Sequence, residues 1–196
     1  MIDFSRIYAK YELSEKKIAH MKEVAKISIA IAGMLKIHVN KDLLYTAAML
    51  HDIGFEKYEL NLGIYKTVND FDFMFGHQIK TKDRLIAEGL PEVAEIASRH
   101  NAIGVTAKES KIMGSNKGVN LLPRAIESRI ISFADSFRAN FITKNDYWTI
   151  KSGYATEVLG KYDLIKKAES RKKRIGRFLI KNGLDYEKLY EEFINQ

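Results

Sequence analysis

The chain of 196 residues contains no cysteine, only two prolines and one tryptophan. Without cysteine it can form no disulfide, no thiolate nucleophile and no metal site with sulfur ligands, so any metal site must use His, Asp and Glu. It also lacks a run of about 18 uncharged apolar residues, the length that a membrane span needs. Its first residues show no apolar segment typical of a secretory signal. We therefore expect a cytoplasmic protein with no membrane partner.

The residues that are present are typical of a globular, basic protein. Hydrophobic residues make up 46% of the chain and charged residues 29%, which excludes disorder as its main state. The 32 Lys and Arg against 25 Asp and Glu leave a net charge of +7. This charge favours an anionic partner such as a nucleotide, another phosphoester or a nucleic acid, although it is equally typical of proteins that are basic for solubility alone.

The hydrophobic pattern predicts an almost entirely helical protein, because no segment alternates with the period of two that is typical of strands. Ser14 is an N-cap candidate for a helix that reaches about Lys36. Asn40 is the corresponding candidate for a second helix, whose apolar run ends at residues 51–54. Gly54 is a natural terminator for that helix.

Glycine and proline divide the rest of the chain. A third helical region spans roughly residues 71–88, and Pro91 opens a short helix that reaches His100. Residues 104–120 are rich in glycine and polar side chains, so a loop is predicted there. The remaining helices are expected from Pro123 through Ala139 and beyond, from 154 to 183, and from 186 to 193.

Several histidines and carboxylates stand where apolar residues surround them. His20 shares a helical stripe with apolar residues and should point inward, where a lone histidine is more often a satisfied core residue than a ligand. His51 and Asp52 end a buried helix, a position from which two adjacent side chains can converge on one ion. Asp135 is a carboxylate within an apolar helix, so it needs a cation, several hydrogen-bond donors or a salt bridge to Arg129 or Arg138.

Four of these residues, in chain order, resemble the H…HD…D signature of the HD-domain metal-dependent phosphohydrolase superfamily: His20, His51, Asp52 and Asp135. The following Ile53-Gly54 makes the pair similar to the HDIG subset of that superfamily. The resemblance covers roughly residues 15–140. It implies a compact, all-α helical bundle that binds a divalent metal.

Two more histidines, His77 and His100, fall between the HD pair and the final aspartate. This order resembles that of dinuclear members of the superfamily, including the YqeK-type diadenosine tetraphosphate hydrolases. The resemblance implies that the four signature residues hold a first ion and that Asp52 bridges to a second, held by both additional histidines. Oxygen and imidazole ligands suit Mn, Fe, Ni, Co or Mg, with one or two ions bound.

An enzyme that acts on phosphate also needs cations. Arg138 lies three residues after Asp135 on the same helical face and is the first candidate for phosphate binding. With His51 and Asp52 it makes up the expected catalytic set. Phe55 occupies the position after the glycine where many HDIG proteins carry lysine. Weaker candidates for phosphate binding or for stacking on a base are Lys57, Arg84, Arg99, Lys108, Tyr58, Tyr65 and Phe73.

The sequence thus predicts a single HD-type domain over residues 1–196, with its core at about 15–140 and C-terminal helices at 154–195 packed on or beside that core. The expected function is hydrolysis of a phosphoester or phosphoanhydride of a nucleotide or related small molecule. Two alternatives stay open: a mononuclear nucleoside monophosphatase, and a non-catalytic nucleotide- or RNA-binding module. The second would use the basic run at 166–174, which is otherwise a solvated helix face. The chain could also form a homo-oligomer.

Overall fold

The computed structural model of this protein describes residues 2–55, 68–140 and 153–193. Over these ranges the chain is helical and contains no strand, which confirms the predicted all-α class. None of the helices described there is long and apolar enough to span a membrane. In chain order they are α1 (Phe4–Lys10), α2 (Glu15–Met34), α3 (Lys41–Leu50), α4 (Asp70–Ala87), α5 (Pro91–Ala97), α6 (Ala107–Ile112), α7 (Ile126–Asn140), α8 (Gly153–Lys161), α9 (Ile165–Lys181) and α10 (Tyr186–Phe193).

Both predicted N-caps are present. The side chains of Ser14 and Asn40 accept hydrogen bonds from the backbone N–H three residues further on, at 3.3 and 3.1 Å, at the starts of α2 and α3. Each bond satisfies an N–H that has no partner within the helix itself. Because α3 ends at Leu50, His51 and Asp52 stand at the start of the turn that follows this helix.

The predicted loop at 104–120 is wrong in its middle part, which forms α6. Thr106 and Glu109 make a capping box, in which each side chain accepts a hydrogen bond from the other's backbone N–H. Both carboxylate oxygens of Glu109 also lie 2.7 Å from Nη2 of Arg171 on α9. The sequence contains the Thr-x-x-Glu pattern of a capping box, but the glycines around α6 favoured the prediction of a loop.

Three larger differences from the predicted helices lie elsewhere in the chain. Helix α7 begins at Ile126, so Pro123 precedes the helix instead of opening it. The region expected as one helix from 154 to 183 is two helices, α8 and α9. Between them Asp163 adopts a left-handed backbone conformation with φ 55°, which interrupts helical geometry. Helix α1, capped by Asp3, was not predicted.

The main core brings five helices to one place. Helix α2 packs against α3 and α7, and α5 packs against α3, α4 and α7. Many of their apolar side chains are fully buried, among them Met21, Leu44, Ile130 and Phe133. Burial of each large apolar side chain stabilises the fold by about 1.5–3 kcal/mol. A second buried cluster joins α4 to α6 and α8 through Phe75, Met113 and Leu159. Packing of this kind holds the polar side chains on these helices in set relative positions.

Candidate metal centre

Three helices supply the first predicted set of ligands. His20 lies on α2 and Asp135 on α7, and the pair His51-Asp52 follows α3. Nε2 of His20 is 3.1 Å from Oδ1 of Asp135 and 3.6 Å from Oδ2 of Asp52. Nε2 of His51 is 3.6 Å from that Asp52 oxygen and 3.9 Å from Oδ1 of Asp135. The structure therefore brings all four side chains around one small space.

A second set shares Asp52 with the first. His77 lies on α4 and His100 follows α5. Their Nε2 atoms are 4.0 and 3.4 Å from Oδ1 of Asp52, the oxygen that faces away from His20. The two Nε2 atoms are 3.2 Å apart, close to the roughly 3 Å between neighbouring nitrogens that each lie about 2.1 Å from one ion. Asp52, His77 and His100 thus form a compact three-ligand group.

The backbone orients two of the imidazole rings. Nδ1 of His51 lies 2.7 Å from the carbonyl oxygen of Ala48, and Nδ1 of His100 lies 2.8 Å from that of Ala97. Because a carbonyl oxygen can only accept, Nδ1 carries the proton in both rings. Their Nε2 atoms are therefore left with a lone pair that points toward the cluster, as in most histidines that bind metal.

Burial sets the protonation states of the cluster. It lowers the pKa of His51 to about 4 and, with the nearby His100, the pKa of His77 to about 3. Burial opposes ionisation of Asp52, but interactions with His51, His100 and Lys17 hold the pKa of its carboxyl well below its ordinary value. Near neutral pH His51 and His77 are therefore neutral and Asp52 is ionised, which are the forms that bind a metal. For His20, burial is overcome by the hydrogen bond with Asp135, which raises the pKa of the imidazole.

Two buried atoms at the centre of the cluster have no hydrogen-bond partner within the described ranges: Nε2 of His51 and Oδ1 of Asp52. His51 is fully buried and Asp52 is 4% exposed. Leaving such atoms unsatisfied is costly unless a cation supplies the missing interaction. The donor set of imidazole nitrogens and carboxylate oxygens therefore fits a divalent metal ion.

A family model described as HD domain matches residues 18–140, well over half of the chain. The chain belongs to the HD domain family. HD domains bind divalent metals and are generally metal-dependent hydrolases. The HDIG subset, the YqeK-type likeness and the division into a core at about 15–140 with C-terminal helices beside it stay predictions. Comparison with the curated proteins gives no match, and comparison with the solved structures gives none.

In this HD domain, Gly54 is needed for a close approach of two backbones and not for a special backbone conformation. Its φ is not positive, in contrast to a terminating glycine such as Gly89. A Cβ on Gly54 would stand 2.0 Å from the carbonyl oxygen of His77 and 2.4 Å from the backbone N of Thr81. Thr81 Oγ1 accepts from the Gly54 N–H at 3.0 Å and donates to the His51 carbonyl at 3.0 Å. This contact between α4 and the turn after α3 sets the position of His77 relative to Asp52.

Lys17 is a charged residue of the site that the sequence analysis missed. Its Nζ lies 2.9 Å from Oδ2 of Asp52 and 3.6 Å from the centre of the Phe55 ring. Phe55 in turn stacks on His77 at 4.3 Å. The available signal was spacing, because Lys17 precedes His20 by three residues and so shares its face of α2. Many HDIG proteins carry a lysine directly after the glycine equivalent to Gly54, where this chain has Phe55. Here Lys17 brings an ammonium group to the centre from α2 instead.

Arg138, the expected phosphate-binding residue, lies beside the centre but pairs with Glu23. Its Nε is 2.5 Å from Oε2 of Glu23, which lies three residues after His20 on α2. Asp135 contacts His20 and His51, as described above. It does not form the alternative salt bridge with Arg129. Arg129 instead packs over the ring of Phe178 at 4.8 Å.

The weaker candidates fall in several places. Arg84 donates to the carbonyl of Ile53, and Arg99 pairs with Glu95 and donates to two backbone carbonyls. Both arginines therefore have clear structural roles in the turn after α3 and in the segment before α7. Lys108 is exposed on α6, and Phe73 is half-buried one turn before His77. Lys57, Tyr58 and Tyr65 lie outside the described residues.

The basic run at 166–174 is not one solvated face. Lys172 is only 5% exposed, and burial lowers its pKa to about 8. Arg171 donates hydrogen bonds to Glu109 and to the carbonyls of Ile103 and Gly104. Lys173 and Arg174 are exposed. A nucleic acid could therefore contact only part of this segment.

Proposed function

We propose that this HD domain hydrolyses a phosphoester or phosphoanhydride bond of a nucleotide or a related small phosphorylated molecule. The observation that carries the proposal is the position of the Asp52 carboxylate. Its Oδ2 faces His20 and His51, and its Oδ1 faces His77 and His100. A carboxylate between two groups of imidazoles is suited to bridge two ions.

Each ligand has a defined task in this proposal. His20, His51 and Asp135 would hold one ion, and His77 and His100 the other, with Asp52 shared. When bound, divalent ions would lower the pKa of a coordinated water and stabilise charge on a phosphoryl group. His77 and His100 support the dinuclear form over a mononuclear nucleoside monophosphatase, since a single ion held by the other ligands would leave these two histidines without a ligand role.

Two cations of the chain would serve the substrate. Lys17 is partly exposed and holds Asp52 through a single contact, so its ammonium group can also donate to a phosphoryl oxygen. The flat face of Phe55 keeps that ammonium group beside the centre. Arg138 would contribute only where the substrate phosphate competes with Glu23 for the guanidinium group.

The test begins with protein stripped by EDTA and reloaded with Mn²⁺. A panel of nucleoside monophosphates, nucleoside triphosphates and dinucleoside polyphosphates is assayed by product chromatography. Turnover that depends on Mn²⁺, is lost in Asp52→Ala and is retained in Asp83→Ala supports the proposal. Asp83 is an exposed carboxylate on α4 and serves as the matched control. Absence of turnover on the whole panel, with nucleotide or RNA binding retained, would favour the non-catalytic module.

Metal counting separates the dinuclear from the mononuclear form. We expect elemental analysis to find two Mn²⁺ ions per wild-type chain and one in a His77→Ala, His100→Ala double variant. One ion in the wild type would support the monophosphatase alternative. Homo-oligomer formation stays a prediction, which light scattering coupled to size-exclusion chromatography measures directly.

A further inference from the structure

A cleft of about 390 Å³ lies between the segment before α7, α7 itself and α9. Four arginines line it, together with apolar side chains that include Pro123 and Phe178. The arginines are Arg124, Arg129, Arg171 and Arg174. No carboxylate is among the lining residues found in the described part of the chain. The volume falls within the range of roughly 300–1,000 Å³ that is typical of small-molecule sites.

Three of these arginines have no carboxylate partner within the described ranges. Arg171 is paired with Glu109, but Arg124 and Arg174 are exposed and make no ion pair there. Arg129 packs over the ring of Phe178, at 4.8 Å from its centre. Positive charges gathered around a concave surface without nearby acids raise the potential inside it and attract an anion.

Helix α9 presents these groups as one stripe. Arg171, Arg174 and Phe178 are separated by three and four residues, so they lie on the same side of the helix. An aromatic ring with a guanidinium group over it offers an apolar surface next to a cation. That combination suits a planar ring joined to a phosphate group, because the ring can stack while the phosphate meets the arginines.

The cleft is separate from the metal centre. Arg129 lies six residues before Asp135 on α7, which is about 9 Å along the helix axis and roughly 120° around it. None of the candidate metal ligands lines the cleft.

We propose that this arginine cleft is a second site, which binds a small phosphorylated ligand with a planar ring, of the nucleotide class. The proposal does not rest on hydrolysis at the metal centre.

The test measures binding of ADP and of inorganic pyrophosphate by calorimetry, with EDTA present so that the metal centre holds no ion. We expect both to bind, ADP more tightly. Arg124→Ala and Arg174→Ala should each weaken ADP binding roughly tenfold, as loss of a charged hydrogen bond does. Arg177→Ala is the matched control, since Arg177 is exposed on α9 but does not line the cleft. It should change the affinity less than about twofold.

Phe178→Leu separates the ring from the phosphate. It should weaken ADP binding and leave pyrophosphate binding unchanged. A thermal melt of each variant checks that it is folded.

Three results would overturn the proposal. The first is no binding of either probe in EDTA, and the second is an equal loss for Arg177→Ala and Arg174→Ala. The third is tighter binding of a single-stranded RNA with the loss shared by Lys173→Ala and Arg177→Ala, since that would indicate a nucleic-acid face along α9.

Discussion

Substitution of Gly54 by alanine tests how the backbone builds the metal centre. The added Cβ would lie 2.0 Å from the carbonyl oxygen of His77, where ordinary contact begins at 3.4 Å. The Thr81 backbone N, at 2.4 Å, blocks the same space. Since both atoms belong to the backbone of α4, no side-chain rotation relieves the overlap, and α4 must move by more than an ångström. Overpacking of this kind costs about 3 kcal/mol.

The same movement of α4 should displace His77 from the group that it forms with Asp52 and His100. His77 Nε2 is already 4.0 Å from Asp52 Oδ1, and its own carbonyl is the nearest blocking atom. Metal ligands tolerate deviations of only about 0.2 Å. If the centre is dinuclear as proposed, we therefore expect Gly54→Ala to lose the second ion more readily than the first.

Guanidinium denaturation of metal-free protein measures the loss of stability, and elemental analysis measures the ions bound. Gly33→Ala is the control, because a Cβ at Gly33 meets no atom within 4 Å and the residue lies within α2. That variant should be unchanged or more stable by up to about 1 kcal/mol. The reasoning fails if Gly54→Ala is as stable as the wild type.

Three further predictions concern charged residues. Burial lowers the pKa of Lys172 from 10.5 to about 8, so the unfolded chain binds more protons between these values and stability rises with pH there, by about 3 kcal/mol. Chemical denaturation at pH 8 and 10.5 should show this gain reduced in Lys172→Met, and an equal gain in both proteins would contradict it. Glu109→Gln leaves the charge of Arg171 without its carboxylate and should cost about 3 kcal/mol in the same assay at pH 7. Hydrogen bonds to the Thr106 backbone and Arg171 overcome burial and lower the pKa of Glu109 below 4.5, so this contribution is present above pH 4.5 and is lost as the pH falls further. Lys17→Met should reduce Mn²⁺-dependent turnover roughly tenfold or more, and the exposed neighbour variant Lys16→Met should not; equal activities would remove Lys17 from the site.

Local signals in the sequence were sufficient for much of the secondary structure. Ser14 and Asn40 cap the helices that they were predicted to cap, because an N-cap bond involves only residues three apart. The failures were also local in origin. The glycines around α6 favoured a loop over the capping box of Thr106 and Glu109, and Pro123 was expected to open a helix that it precedes.

The six candidate ligands could be named from the sequence, since four of them match the HD signature in residue type and order and two further histidines lie between the HD pair and the final aspartate. Their arrangement was decided by packing between distant segments. Only the folded chain shows that Asp52 presents one oxygen to each histidine group, that Lys17 reaches Asp52, and that α4 approaches Gly54 too closely for any side chain. The sequence gives the order of the candidate ligands directly, whereas distances of a few ångströms between helices depend on how every buried side chain between them packs.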